Sequence, residues 1–323
     1  MNESSSSPWR DLLRLHFIIL IWGCTGVTGK LITLPAIEVV FFRCAIAAMA
    51  LEAWLAWRRR QRSGTSEVAS TTSMSMRTIV ELLGVGILIG VHWVLFFAAC
   101  NVANVSVAMV GLATTALWTA VLEPLMIPDR RWKLSEFVFG AITLLAIALI
   151  FLKEESELGL GFALGIAAAL VAAVFSILNV RYTHDHNPVS ISKWQMIGAA
   201  LLGLSLFPFA SWLAEPDKPL AIPGRDDWIG LLFLSLVCTA FAYVESVELL
   251  RRISVYTLVF ANNLEPIYGI VLGGLLFGDH QHLTGYFYFG ATLIVASVVI
   301  QAWWQHHARI KSERQAKLAV RAS

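Results

Sequence analysis

Residues 15–60 read LHFIILIWGCTGVTGKLITLPAIEVVFFRCAIAAMALEAWLAWRRR, and their reading decides the fold. A helix needs roughly 20 apolar residues to cross the hydrocarbon of a bilayer. The run 15–34 has that length and follows Arg10 and Arg14, so in isolation it has the look of a signal peptide. However, it lacks an A-x-A cleavage pattern, and a second apolar run, 36–57, follows after a single proline before Arg58-Arg59-Arg60. A secretory leader is not followed at once by a second span. The pair is therefore a retained first membrane helix and a second that turns straight back.

The pattern continues to the far end of the chain. Span-length apolar segments fall at about 15–34, 36–57, 78–99, 103–125, 133–152, 159–181, 191–213, 227–249, 254–277 and 283–304, which predicts ten transmembrane helices. Composition agrees: 57% of residues are hydrophobic, 14% are charged and the mean hydropathy is +0.69. A soluble domain carries about 25% charged residues, so this chain cannot cover a surface with them. The formal charge of +2 points to no acidic partner and no nucleic acid. Cys24, Cys44, Cys100 and Cys238 all stand in apolar runs without a CxxC spacing, where they act as small hydrophobes.

Lysine and arginine favour the cytoplasmic side and so set the orientation. A cytoplasmic N-terminus places Arg10, Arg14, Arg58, Arg59, Arg60, Arg62, Arg77, Arg130, Arg131, Lys133, Arg181, Lys193, Arg251, Arg252 and the basic tail on that side. The opposite loops keep only Lys153, Lys218 and Arg225, each beside acids. Both termini are thus expected in the cytoplasm, and the protein in the cell (inner) membrane. Eight tryptophans fall at predicted helix ends, where interfacial rings belong. Trp22, Trp93 and Trp118 lie inside spans and need another explanation.

The halves echo one another. Val105-Ser106-Val107 opens the fourth span and Ile253-Ser254-Val255 the ninth; Phe139-Gly140-Ala141 in the fifth matches Phe289-Gly290-Ala291 in the tenth. Two units of five spans must insert upside down relative to each other, the inverted-repeat architecture of many transporters. The expected division is a tail 1–14, a first repeat 15–152, a second repeat 153–304 and a basic tail 305–323.

Ionisable groups inside spans are costly and by default mark a pathway. Glu265 lies mid-span beside Asn262 and Asn263 and before Pro266, which removes a helical hydrogen bond. It is read as a solute or proton site, or else as a protonated glutamate bonding two helices. His92 is a proton carrier or gate, or a satisfied packing residue. Trp22, Trp93 and Trp118 are flat cavity walls or core packing. Arg43 pairs with Glu38 or another carboxylate, or binds an anionic group of a solute. Tyr243 is expected to line a cavity. Glu248 is read as pairing with Arg251 and Arg252, Glu245 stays open, and Glu52, Glu81, Glu123 and Glu136 are read as interfacial. Lys30 is expected to snorkel outward. Glycine pairs such as Gly86/Gly90 and Gly161/Gly165 suit close helix packing.

The order and spacing of several motifs carry a resemblance over about 15–304. They are Trp22-Gly23, Phe42-Arg43, Trp93, the span from Ser106 to Glu123, Asn263-Leu264-Glu265-Pro266, and Gly278-Asp279. In these the chain resembles the EamA-type members of the drug/metabolite transporter superfamily. The resemblance implies ten helices, cytoplasmic ends and a central cavity that passes small metabolites. Two departures stand out. Aligning Ser106 with Ser254 sets Trp118 where the second repeat has Pro266, and Gly278-Asp279 replaces the commoner Gly-Glu. The first predicts a fourth span without a helix-breaking proline and a narrowed cavity.

The function expected is secondary transport, probable export in direction by family analogy, of small organic metabolites such as amino acids. No P-loop pattern makes ATP the direct energy source, and no HExxH or G-x-S-x-G supports an intramembrane enzyme. A binding or sensing protein without flux is the alternative. No cofactor or metal is expected; the partners are a small-molecule substrate and membrane lipid, with a homodimer left open.

Overall fold

The computed structural model describes residues 8–62, 74–103, 105–128, 130–151, 159–213, 223–277, 285, 286, 288–290, 292–297, 299–301, 303 and 304. Lys30's side chain, Gly278-Asp279 and His280-Gln281-His282 lie outside them. The architecture is all helical among the described residues. α1 spans Pro8–Leu31, α2 Ala36–Arg62, α3 Met76–Val102, α4 Val105–Leu112, α5 Thr115–Met126 and α6 Leu134–Phe151. α7 (Gly159–Thr183), α8 (Pro188–Leu213), α9 (Arg225–Leu232), α10 (Ala242–Leu249), α11 (Val255–Ala261) and α12 (Glu265–Phe277) follow. Seven described stretches are long and apolar enough to cross a membrane, with shorter apolar helices at Leu134–Ala146 and Tyr288–Gln301.

Three expected spans are not continuous α-helix. The fourth is split by a turn at Ala113-Thr114, and the ninth by a single 3₁₀ turn, Asn262–Leu264. The eighth widens to a π-helix over Phe233–Phe241, between α9 and α10. The ninth bends where Asn262-Asn263 and Pro266 predict it. The fourth breaks although Trp118 stands where the second repeat has its proline. There, the Thr114 hydroxyl donates to the Gly111 carbonyl at 2.7 Å and the Thr115 hydroxyl to Leu112 at 2.5 Å. Threonines that bond back to their own turn bend helices. The register that sets Ser106 on Ser254 also sets Ala113-Thr114 on Ala261-Asn262. The two halves thus break at the same place by different chemistry.

Lipid offers no hydrophobic drive to bring helices together, so close packing of small residues has to do so. The interior is lined accordingly by Ala168, Ala169, Ala172, Ala173 and Ala199, while leucines, phenylalanines and tryptophans cover the outside. The crossing of α3 and α8 leaves no room for a side chain at two positions. A Cβ on Gly86 would lie 2.1 Å from the Gln195 backbone oxygen, and one on Gly198 would lie 2.2 Å from that of Leu83. α3 and α8 therefore touch backbone to backbone.

Polar ties fix the ends. Asp227, at the start of α9, accepts from the Thr33 amide at 2.7 Å and from the Gly224 amide at 2.9 Å, which joins the α1–α2 turn to α9. At the other end Glu245, left open by sequence, pairs with Arg14. Glu248 meets Arg251 at 3.2 Å and Arg252 at 3.4 Å, as its spacing predicts. Glu52 joins Lys193 at 2.9 Å and Glu81 joins Arg77 at 2.9 Å, both part-exposed. Glu123 and Glu136, by contrast, are buried rather than interfacial. Arg130 bridges them at 3.1 and 2.8 Å, because the short α5–α6 connection folds its arginine inward.

The crossing of α3 and α8 sets a sharp test. Gly86→Ala forces backbone apart and is expected to destabilise the protein by about 1–3 kcal/mol. Gly84→Ala, with nothing within 4 Å of its Cβ position, is expected to leave thermal melting in detergent unchanged. Equal melting of the two variants would refute the close contact.

Candidate functional site

The interruptions of the fourth and ninth spans border a cavity of about 110 Å³, and the π-helix of the eighth lies behind its wall. Trp22 and Thr25 of α1, Arg43 of α2, and His92, Trp93 and Phe96 of α3 form one part of its wall. Met109 and Leu112 of α4 and Thr115, the first residue of α5, add the broken fourth span. Phe175, Ser176 and Asn179 of α7, Tyr243 and Ser246 of α10, and Asn262, Asn263 and Glu265 complete it. Of the nine residues singled out in the sequence, eight line this cavity. Trp118 does not: the fourth span restarts at Thr115, so the threonine takes the wall position and Trp118 lies a turn further along α5. Its indole Nε1 is buried without a hydrogen-bond partner.

Arg43 is only 1% exposed. Its Nε donates to the Thr239 hydroxyl at 2.5 Å, and its guanidinium lies 4.1 Å over the Trp93 ring. The π-helix makes the first contact available: Thr239 itself donates back five residues to the Leu234 carbonyl at 2.7 Å. The Cys238 carbonyl of the same π-helix accepts from Trp22 Nε1 at 3.0 Å. Such wide turns occur mostly at functional sites. The Glu38 pairing expected for Arg43 is not formed. Glu38 is buried with one carboxylate oxygen unpartnered, and Arg43 has no carboxylate within 4 Å among the described residues. Glu265 lines the same cavity as Arg43.

His92 Nδ1 lies 2.9 Å from the Ala168 carbonyl, and the ring meets Phe175 edge-on at 5.5 Å. A carbonyl can only accept, so this nitrogen carries hydrogen. The histidine is held by α7, as its packing reading expects, yet it still borders the cavity. Asn262 Oδ1 and Asn263 Nδ2 are buried without partners. They stand beside Glu265, which opens α12.

A second polar group escaped the sequence reading. Asn179 Nδ2 donates to the Tyr243 hydroxyl at 2.9 Å, Tyr243 donates to Gln195 Oε1 at 2.8 Å, and Gln195 Nε2 donates to Asn179 Oδ1. Each side chain gives one hydrogen bond and takes one, closing a ring between α7, α8 and α10. Asn179 and Gln195 are amides inside apolar runs, and the rule that picked out Asn262 and Asn263 would have found them. Thr25, Thr115, Thr239, Ser176 and Ser246 carry no such signal, because hydroxyls are common in membrane helices.

An apolar exterior of span-length helices around a cavity that holds several polar side chains defines an α-helical multi-pass membrane protein. The chain matches the EamA-like transporter family over residues 13–152 and again over 159–303. It belongs to that family, and is a membrane transporter with two family units. A probable biotin transporter of Pseudomonas aeruginosa is 24% identical over 221 residues, 68% of this chain and 76% of that one. A protein of known crystal structure superposes with a TM-score of 0.67 at 15% identity, covering 94% of this chain and 99% of that one. That likeness shows the shared fold. Among the described residues, no cluster of three histidine, cysteine or acidic side chains is placed to hold a metal.

Tyr243→Phe removes a hydroxyl that both donates and accepts, leaving two buried amides short of partners. It is expected to cost about 1–3 kcal/mol, read as lowered thermal stability in detergent. Melting equal to the native protein's would show that the ring does not hold the wall.

Proposed function

We propose that this protein is a secondary transporter that exports small organic metabolites across the cell (inner) membrane by alternating access. The reading places ten helices in two inverted five-helix repeats with both ends in the cytoplasm. One observation carries it: a single polar cavity is bordered by the broken fourth span and the broken ninth, which correspond between the halves. Discontinuous helices at a repeat interface are where transporters bind solutes. The lopsided distribution of arginine and lysine supports the orientation.

Glu265, Asn262, Asn263, Arg43, Trp93, Trp22, His92 and Tyr243 are the binding and coupling residues of this reading. A gradient of the solute or of protons drives the cycle, with Glu265 and His92 as the groups that would carry protons. Amino acids and their analogues are the first solutes to test, and the name of the Pseudomonas relative adds biotin. The cavity's aromatic walls favour a solute with an apolar or flat part.

The test is flux of labelled amino acids and biotin in proteoliposomes, with and without an imposed pH gradient and in both membrane orientations. Saturable flux, faster toward the outer face, is expected. Glu265→Gln is expected to lower the initial rate by about tenfold or more, on the scale of a lost charged hydrogen bond, while melting stays near the native value. Normal flux by this variant at every pH would remove Glu265 from the site. Binding without flux for every solute would favour a sensor instead.

A further inference from the structure

Arg43 heads the fully buried side chains by size. A guanidinium is always charged and presents five N–H donors in a planar fork. Here Nε is bonded to Thr239, and the Trp93 face attracts the charge but accepts no hydrogen bond. Nη1 is buried with no partner, and the side chain borders the cavity. A buried charge left short of acceptors is costly, and lipid cannot supply them. What completes the fork has to come through the cavity.

We propose that Arg43 is the receptor for a carboxylate of the transported solute, and that this carboxylate is obligatory for binding. This names the solute class for the cavity assigned above and rests on the transporter reading. A carboxylate offers two oxygens in the plane and spacing of the guanidinium fork, the pairing that arginine makes best. A neutral carbonyl would accept one hydrogen bond and leave the charge. A cation would be repelled by Arg43 itself. A phosphate dianion would bring two negative charges to one arginine. A carboxylate brings one, which Arg43 matches. Trp22, Trp93 and Phe175 then flank the solute's apolar body. The unpartnered Asn262 Oδ1 and Asn263 Nδ2 are free for a second polar group.

Matched acids and amides test this directly. Acetate, 3-phenylpropionate and phenylalanine are titrated against acetamide, 3-phenylpropionamide and phenylalaninamide on the purified full chain in detergent, read by tryptophan fluorescence and thermal melting. At least one acid is expected to bind saturably, about tenfold or more tighter than its amide, as for other charge-assisted pairs. Arg43→Gln is expected to erase that preference. Should that variant fail to fold, Arg43→Lys keeps the charge but loses the fork; it is expected to weaken the acids about tenfold and leave the amides unchanged. Amides that bind as tightly as their acids, an acid preference that survives Arg43→Gln, an Arg43→Lys protein that binds acids as the native one does, or no binding by any of the three acids would each overturn the proposal. Acid-selective binding without flux in proteoliposomes would keep it and sink transport. Flux with no acid preference would do the reverse.

Discussion

Inside a bilayer every backbone hydrogen bond that a helix gives up must be remade within the protein, because hydrocarbon offers no partner. This chain gives up regular α-helix at three described places; two of them border the same cavity, and the third, the π-helix, stands behind its wall and holds Trp22 and Arg43. Each is repaired by a different device. In the fourth span Thr114 and Thr115 return their hydroxyls to the turn below. In the ninth a 3₁₀ turn tightens the backbone, and the Glu265 amide donates to the Asn262 carbonyl. In the eighth the π-helix widens, and Trp22 donates to the carbonyl of Cys238. The cavity exists because these repairs are possible, and its polar lining consists partly of the groups that make or adjoin them.

The rest of the bundle supplies the stiffness that the broken spans lack. α3 and α8 meet at Gly86 and Gly198 with no room for a methyl group. α1 meets α12 as tightly: a Cβ on Gly23 would lie 2.5 Å from that of Tyr268, three residues past Glu265. Dispersion between close backbones replaces the hydrophobic effect that drives packing in water. It also fixes Trp22 and Glu265 relative to each other, since each lies within a turn of this contact. A site built on such crossings is positioned more firmly than one on loops.

How much was legible in the sequence follows from what each signal depends on. Apolar runs, basic loops and mid-span ionisable residues depend only on local composition, so the seven long spans and eight residues of the cavity wall could be read directly. Glu248 and its arginines were readable because helix periodicity fixes neighbours three and four residues apart. Arg43 and Glu38 are five residues apart, a spacing that turns them to different faces of α2, and the pair does not form. The hydroxyl that Arg43 uses sits in a π-helix nearly two hundred residues away, and nothing in Phe233–Phe241 announces a wider turn. The split fourth span was hidden because threonines, unlike proline, break a helix only in context. Trp118 was open between cavity wall and core packing, and which of the two holds depends on where the fourth span restarts.

The two polar sets in the cavity differ in kind, and the difference bears on how it works. Asn179, Tyr243 and Gln195 satisfy one another in a closed ring, so that wall gains nothing by moving toward a ligand. A fully satisfied buried network holds its members rigid. Arg43, Asn262 and Asn263 each keep a buried polar atom without a partner. Unmet groups of this kind raise the energy of the empty state, and a solute that meets them recovers that energy on binding. Two of the three lie at the 3₁₀ turn of the ninth span, and the third leans on the π-helix of the eighth. Asn262 and Asn263 thus wait for a partner on an irregular segment, and Arg43 waits on a regular helix beside one, while the satisfied ring is carried by the regular helices α7, α8 and α10. A solute that met Asn262 and Asn263 would draw the broken ninth span toward the fixed wall, the kind of adjustment that the proposed alternating access requires.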